Sequence, residues 1–118
     1  MTRNRDQVVA DVETLIGAID AAVRHLQADK RAVRRAIKML SEGSGIAETL
    51  ATTRAADVRQ GANEVLDGLT TARHHSRLSV FAAGLDEGMT IGELARAWGF
   101  SRQLASRYAR EAQATPDP

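Results

Sequence analysis

The segment from Ser101 to Arg110 concentrates side chains of the types that contact nucleic acids. Arginine donates a bidentate pair of hydrogen bonds to guanine, glutamine pairs in the same way with adenine, and serine and arginine bind phosphate oxygens. On a helix these side chains face outward together, and the segment has no carboxylate before Glu111. The candidate DNA-contacting residues are Ser101, Arg102, Gln103, Ser106, Arg107 and Arg110.

The residues around this segment predict two short helices joined by a tight turn. Leu94 and Trp98 lie one turn apart on one face of the first helix. Gly99 suits a positive φ that ends this helix without a Cβ penalty. Ser101 is a good N-cap for a second helix, predicted to span residues 102–113.

Small residues accompany this turn at positions where two helices would cross closely. Ala95 is small in the first helix, and Ala105 and Tyr108 are predicted to turn inward from the second. The whole pattern resembles the helix-turn-helix of bacterial transcriptional regulators and phage repressors. This sequence departs from that family at Ala105, where a branched aliphatic residue is more usual, and the larger Leu104 lies beside it.

The second helix of that family enters the major groove with its N-terminal residues toward the base edges. The resemblance therefore implies base contacts from Arg102, Gln103 and Ser106. It implies phosphate contacts from Ser101, Arg107 and Arg110. The alternative is an ordinary helical hairpin whose outer face is basic.

The composition favours an all-α fold of one average domain or of a small domain with an oligomerisation element. The 118 residues contain no cysteine, and the only two prolines are residues 116 and 118. Lys and Arg number 16 against 15 Asp and Glu, a net charge of +1. Long-range attraction to a polyanion is therefore weak, and DNA binding would depend on local patches and on duplication.

Apolar residues in the first part of the chain recur at spacings of four and three, typical of a helical bundle. The pattern continues past Asp29 with neither Gly nor Pro nearby, so we expect one helix over residues 5–41; the other reading is a break at Asp29. The seam comprises Val8, Val12, Leu15, Ile19, Ala22 and Leu26. We expect its members Val12, Leu15, Ile19 and Leu26 to mediate oligomerisation.

A glycine-rich turn at residues 43–45 separates this helix from a second arm. Apolar residues over 51–69 repeat at the same spacings, which predicts an antiparallel helical hairpin. The polar stretch that follows Leu69 leads into an additional helix, which has Leu78, Phe81 and Leu85 on one face and is expected to complete the core of the C-terminal unit.

Basic residues of the first helix form a second candidate site. Two readings of this run are open, auxiliary phosphate contacts or a solvated face. The residues are Arg31, Arg34, Arg35 and Lys38.

Other chemistry is not indicated by the sequence. His74 and His75 are adjacent, so on a helix their side chains diverge by about 100° and cannot chelate one metal ion together. No nucleophile elbow, zinc-ligand spacing or dinucleotide fingerprint occurs, and we expect neither enzymatic activity nor a cofactor. Nothing resembles a signal peptide or a membrane span, which makes the cytoplasm, and with DNA the nucleoid, the expected location.

The sequence thus predicts an all-α protein with a long antiparallel helical hairpin followed by a tri-helical helix-turn-helix. The predicted domains are 1–72 for oligomerisation, 73–113 for double-stranded DNA and 114–118 as a disordered tail. We expect a homodimeric or larger transcriptional regulator that reads DNA sequence. The alternative is a helical adaptor, whose coiled-coil arm binds another protein and whose C-terminal unit is a protein contact.

Overall fold

A computed structural model describes residues 3–114 of the chain, and the expectation of an all-α fold is confirmed. Within these residues every regular element is a helix. None of the helices they form has both the length and the apolarity to cross a bilayer. The helices are α1 (Arg3–Ser41), α2 (Ile46–Thr52), α3 (Ala55–Asp86), α4 (Ile91–Trp98) and α5 (Arg102–Ala114).

Helix α1 is continuous past Asp29, as the spacing of its apolar residues predicts. Asp29 is half-buried, and its carboxylate Oδ1 lies 3.3 Å from Nε2 of His25, one turn earlier on the same helix. The helix ends at Ser41, where Gly43 has a φ of 93° and the Ser44 N–H donates to the Met39 carbonyl at 3.0 Å. This hydrogen bond satisfies a carbonyl that the helix terminus would otherwise leave without a partner.

The second arm is not one uninterrupted helix, which corrects the sequence-based expectation for residues 51–69. A break separates α2 from α3, with Arg54 in the left-handed region at φ 54°. The buried hydroxyl of Thr53 donates to the Thr49 carbonyl at 2.7 Å. Such back-bonding by threonine bends helices, and the periodicity of apolar residues contains no trace of it.

A second correction concerns the polar stretch after Leu69, which does not break the chain. Helix α3 runs through it to Asp86, so the expected boundary between residues 72 and 73 lies inside a helix. Ala72 and Ser76 are buried there, four residues apart, while Arg73 and His75 are exposed. Small residues on the inner face allow packing without large apolar side chains. The additional helix expected around Leu78, Phe81 and Leu85 is therefore the last part of α3 and not a separate element.

The chain divides into two compact units, and the division falls within α1 and within α3. One unit combines the residues up to Leu15 with those from Thr71 onward, and the other is Ile16–Thr70. The predicted tail of residues 114–118 lies mostly outside the described residues. Ala114, its first member, is the last residue of α5.

The first unit has an apolar core built from α3, α4 and α5. Phe81 has no exposed surface and Leu94 is 1% exposed. Ala95, Ala105 and Ala109 complete the buried cluster. Half-buried residues packed around it are Leu85, Met89, Ile91, Phe100, Tyr108 and Ala112.

Two polar contacts join the first turns of α1 to α3 within this unit. The Ser79 hydroxyl, which is buried, lies within hydrogen-bond distance of the Asp11 carboxylate. Arg5 donates two hydrogen bonds to Glu87, at 2.5 and 2.8 Å. This pair raises the pKa of Arg5 and lowers that of Glu87. Because both side chains are exposed, the pair contributes little to stability.

Replacing Gly84 by alanine is expected to destabilise this unit by about 1 to 3 kcal/mol, the usual cost of overpacking a core. An added Cβ would lie 2.9 Å from Leu94 Cδ2 and 3.1 Å from Met89 Sδ. Leu94 is only 1% exposed, so in a close-packed core its methyl group can move aside only by displacing neighbouring atoms. Urea unfolding monitored by fluorescence measures the effect, because Trp98 is the only tryptophan.

Gly92→Ala in α4 is the matched control for Gly84→Ala. The atoms nearest to a Cβ at this position are Nη1 of Arg96 at 3.6 Å and Oγ1 of Thr90 at 3.9 Å, which are ordinary contacts. Alanine there should stabilise the helix by up to about 1 kcal/mol. If Gly84→Ala raises the urea midpoint as Gly92→Ala does, the packing of α3 against α4 described above is wrong.

Candidate nucleic-acid interface

Helix α4 begins at a reciprocal capping box. The Thr90 hydroxyl accepts a hydrogen bond from the Glu93 N–H at 3.1 Å, and the Glu93 carboxylate accepts one from the Thr90 N–H at 3.0 Å. Two donors of the helix terminus are satisfied in this way. The pKa of Glu93 is lowered, first by its hydrogen bond from the Thr90 backbone and then by the contact with the Thr90 side chain. Thr90 is therefore the N-cap of α4.

The turn between α4 and α5 has the geometry that the sequence predicts. Gly99 is left-handed at φ 69° and ends α4. The Phe100 N–H then donates to the Ala95 carbonyl at 2.9 Å, which closes the turn. The Ser101 hydroxyl accepts a hydrogen bond from the Leu104 N–H at 3.1 Å, so Ser101 caps α5 as expected.

The inner face of α5 consists mainly of alanine. Ala105 has no exposed surface and Ala109 is 2% exposed, and both belong to the cluster that contains Ala95 of α4. Small side chains let two helices approach closely, because no bulky group separates their backbones. Leu104 and Tyr108 are half-buried beside them. The sequence predicted an inward position for Ala105 and Tyr108 but not for Ala109.

The outer face of α5 brings together the polar side chains selected from the sequence. Arg102, Gln103, Arg107 and Arg110 are exposed and Ser106 is half-buried, and these five residues line one shallow depression. Ser101 is exposed at the start of the helix. Within residues 3–114 the ion pairs do not include the three arginines of this face. Their guanidinium groups therefore have hydrogen-bond donors available for an external ligand.

An aromatic cluster lies at the edge of the core beside α5. Phe100 packs on Tyr108 and on Trp98, with ring centroids 5.3 and 5.8 Å apart. Trp98 is 37% exposed, so it is not a core residue in the way that Leu94 is. The guanidinium carbon of Arg77 lies 5.8 Å from the centroid of the Trp98 ring and 5.6 Å from that of Phe100. Stacking of this kind holds an arginine without neutralising it.

Two residues of this region had no assigned contact from the sequence. His74 Nε2 lies 2.9 Å from the Glu111 carboxylate, so the acid nearest to the basic face of α5 is directed toward α3. Arg77 adds a cation against the aromatic cluster. Both contacts join residues separated by at least twenty positions in the chain, and no local pattern identifies them.

The remaining candidate residues lie on α1. The basic residues Arg31, Arg34, Arg35 and Lys38 are all exposed, and the ion pairs among the described residues do not include them. The residues expected to mediate oligomerisation divide into two groups. Val12, Ile19 and Leu26 are exposed, whereas Leu15 is half-buried.

Comparison of the chain with known protein families, with curated proteins and with solved structures found no match.

Lowering the pH is expected to weaken the capping box of α4. Because the pKa of Glu93 in the folded protein lies below its ordinary 4.5, its charged form stabilises the fold. This contribution is present above that ordinary value and is lost as the pH falls through the lowered pKa. Glu93→Gln cannot titrate at this position. The difference in urea midpoint between parent and variant, measured from about pH 6 to about pH 3, should therefore shrink toward low pH.

The control for this experiment is the same substitution in a Thr90→Ala background, where the reciprocal contacts are incomplete. Thr90→Ala should itself cost about 1 kcal/mol. In that background the pH-dependent difference between Glu93 and glutamine should be reduced. An equal difference in both backgrounds would show that the Thr90 hydroxyl does not contribute to the lowered pKa, and would leave the backbone N–H at position 90, which alanine retains, as its cause.

Proposed function

We propose that this chain is a sequence-specific DNA-binding protein, a dimeric transcriptional regulator in which α4 and α5 form a helix-turn-helix and α5 enters the major groove. The observation that carries the proposal is the two-sided character of α5. Its inner face, with Ala105 and Ala109, is buried. Its outer face presents three exposed arginines, Gln103 and Ser106 together. The nucleoid within the cytoplasm is the corresponding location.

The side chains of α5 divide by their distance from its N-terminus. Arg102, Gln103 and Ser106 lie in the first turn and a half, the end that approaches base edges in a helix-turn-helix. Arg107 and Arg110 lie farther along, where phosphates of the groove walls are the nearer partners. Ser101 accepts from Leu104 with its oxygen, and its hydroxyl hydrogen remains a donor for a phosphate.

Duplication of this unit follows from the weakness of a single copy. One module of this kind buries little surface on DNA, and the net charge of +1 supplies little general attraction. Two copies that bind together gain affinity through effective concentration. We assign self-association to an antiparallel helical hairpin formed by α1 and the first part of α3. The exposed Val12, Ile19 and Leu26 support a contact outside the chain.

A helical adaptor is the alternative function, and the exposed aliphatic residues of α1 are also the observation that favours it. Selection of bound sequences from a pool of random duplexes separates the two functions, followed by fluorescence anisotropy on the selected site. Saturable, salt-sensitive and sequence-selective binding supports the DNA-binding proposal. Absence of binding at low salt supports the adaptor.

Substitution of the first residues of α5 is expected to affect sequence-specific binding selectively. Arg102→Ala or Gln103→Ala should cost about 1 to 3 kcal/mol on the selected site and little on random DNA, because only base contacts are lost. Arg107→Ala or Arg110→Ala should weaken binding to both duplexes nearly equally, because phosphates occur in every sequence. Anisotropy at fixed salt on both duplexes measures the difference.

Arg59→Ala is the control for loss of positive charge, since Arg59 is an exposed arginine of α3 outside the proposed interface. It should leave both affinities nearly unchanged. Leu94→Ala is the control for folding and should cost about 2 to 5 kcal/mol of stability, because Leu94 is fully buried. Normal affinity of well-folded Arg102→Ala and Gln103→Ala variants would disprove the proposed orientation of α5.

The basic run of α1 is tested by the salt dependence of DNA binding. Arg31 and Arg35 lie one turn apart and are both exposed. If both contact phosphates, replacing them by glutamine should reduce the slope of log K against log salt by roughly 1.8. Arg59→Gln is the matched control and should leave the slope unchanged. An unchanged slope in the double variant would assign these residues to the solvated surface.

A further inference from the structure

Helix α1 carries a row of large aliphatic side chains that its own chain leaves uncovered. We call these residues the outer row. Their exposed fractions range from 37% at Val12 to 59% at Ile37. They recur in alternating steps of three and four, and Lys30 occupies the one remaining position of the series. The outer row consists of Val9, Val12, Ile16, Ile19, Val23, Leu26, Lys30, Val33, Ile37 and Leu40.

The face of α1 that packs within its own chain has smaller and more polar side chains. We call it the inner row, and in the unit Ile16–Thr70 its residues are buried or half-buried. Gly61 of α3 lies against it, because a Cβ at Gly61 would come within 2.5 Å of the His25 ring. The inner row in this unit is Ala18, Ala22, His25, Asp29, Ala32, Ala36 and Met39. The larger apolar area of α1 thus faces away from its own chain.

The unit Ile16–Thr70 cannot be stabilised well by its own interior. Its buried side chains among the described residues are Ala22, Thr49 and Thr53, and the last two are polar. A unit of this length usually depends on burying large aliphatic residues. Contiguous exposed apolar surface of this kind marks an interaction site. The side chains available for burial are those of the outer row.

The spacing of the outer row matches a second copy of itself. Steps of three and four define the a and d positions of a two-stranded coiled coil. The series reads the same from both ends, so two antiparallel copies align every layer about a two-fold axis between Arg24 and His25. In this alignment Ile16 faces Val33 of the second copy, and Val23 faces its Leu26. A two-fold contact of this kind closes on itself as a dimer.

The charges along α1 select the antiparallel orientation. From Asp6 to Val23 the helix has four acidic residues and no basic residue. From Arg24 to Lys38 it has six basic residues and one acidic residue, Asp29. A parallel pair would place the two basic halves together, whereas an antiparallel pair places each basic half beside an acidic half.

Individual residues agree with this orientation. Along the exposed flank of the outer row, Glu13 comes beside Arg34 of the second copy in the antiparallel alignment, displaced by about two residues, or about 3 Å, along the helix axis. Lys30 comes level with Ile19 and beside Asp20, so its charge has a partner at the edge of the contact. In a parallel pair the acidic residue beside Arg34 would be Asp29 of the second copy instead. Asp29 belongs to the inner row and lies 3.3 Å from its own His25.

We propose that two copies of this chain associate through the outer rows of α1, antiparallel, with the layers aligned about the axis between Arg24 and His25. This inference specifies the self-association of the proposed function and does not require DNA binding. It is tested on the protein without DNA, so its failure leaves the DNA-binding proposal intact, and failure of DNA binding leaves this one intact.

Cross-linking of single-cysteine variants tests the orientation directly, because the native chain has no cysteine. Ile16→Cys and Val33→Cys are prepared separately in the full-length chain and treated with a short bismaleimide, alone and after mixing. Antiparallel pairing brings position 16 of one copy to position 33 of the other. The two cysteines of an Ile16→Cys pair would then be roughly 25 Å apart along the helix, beyond the reach of the reagent.

We expect a covalent dimer that contains one chain of each variant in the mixture, and almost none from either variant alone. Efficient cross-linking of Ile16→Cys or of Val33→Cys with itself overturns the proposal, because it shows a parallel pair. Absence of any covalent dimer, together with a monomer in sedimentation equilibrium of the parent chain at micromolar concentration, also overturns it. That result would assign the outer row to a different protein.

Sedimentation equilibrium of two nearby variants identifies the face involved. Leu26→Glu places a carboxylate in the outer row twice per dimer, and we expect the dissociation constant to rise at least about a hundredfold. Ala28→Glu adds the same charge two residues away, at an exposed position outside the row, and should leave association nearly unchanged. Circular dichroism and Trp98 emission monitor the fold of both. Equal dissociation constants for these two variants overturn the assignment of the outer row.

Discussion

Burial of Ala105 and Ala109 against the cluster around Phe81 and Leu94 fixes the rotation of α5 about its axis. Every contact proposed for Arg102, Gln103 and the later arginines depends on this rotation. A turn of one residue position would move a face by about 100° and bury a charged group. Because a buried unpaired charge is costly, the burial of Ala105 and Ala109 specifies which face of α5 is outward.

The two compact units differ in the side chains that they bury. The unit that contains α4 and α5 encloses Phe81 and Leu94 completely and seals its helix ends with glycine turns and the Thr90 capping box. The unit Ile16–Thr70 fully buries only Ala22, Thr49 and Thr53 among the described residues, and it leaves the large aliphatic residues of the outer row exposed. Its unfavourable balance is relieved if a second copy covers those residues. Stability of this unit would then depend on protein concentration, as in obligate dimers.

Charge is distributed in a way that fits both proposals without a large net charge. The arginines of α5 lie outside the ion pairs of residues 3–114, and Glu111 is directed to His74. On α1 acidic residues predominate from Asp6 to Val23 and basic residues from Arg24 to Lys38, which gives this part of the helix an electrostatic direction. A protein with mixed charge binds DNA through local patches, so its affinity should depend on geometry more than on overall attraction. DNA affinity would therefore depend mainly on the position of α5 and on the presence of two copies.

The sequence by itself determined the all-α class, the continuity of α1, the cap at Ser101 and the turn at Gly99. These features depend on nearest neighbours, on periodicity and on the φ that a glycine permits, all of which are local. Tertiary structure decided what non-local packing controls. Helix α3 continues through a polar stretch, where the small residues Ala72 and Ser76 are buried on its inner face. Helix α2 ends before the back-bonded Thr53, although the apolar pattern continues past this point. Helix α1 has apolar residues on two faces, so the sequence could not distinguish which of the two rows packs within its own chain. That choice depends on the small residues opposite, such as Gly61 against His25, and it left the larger aliphatic residues exposed.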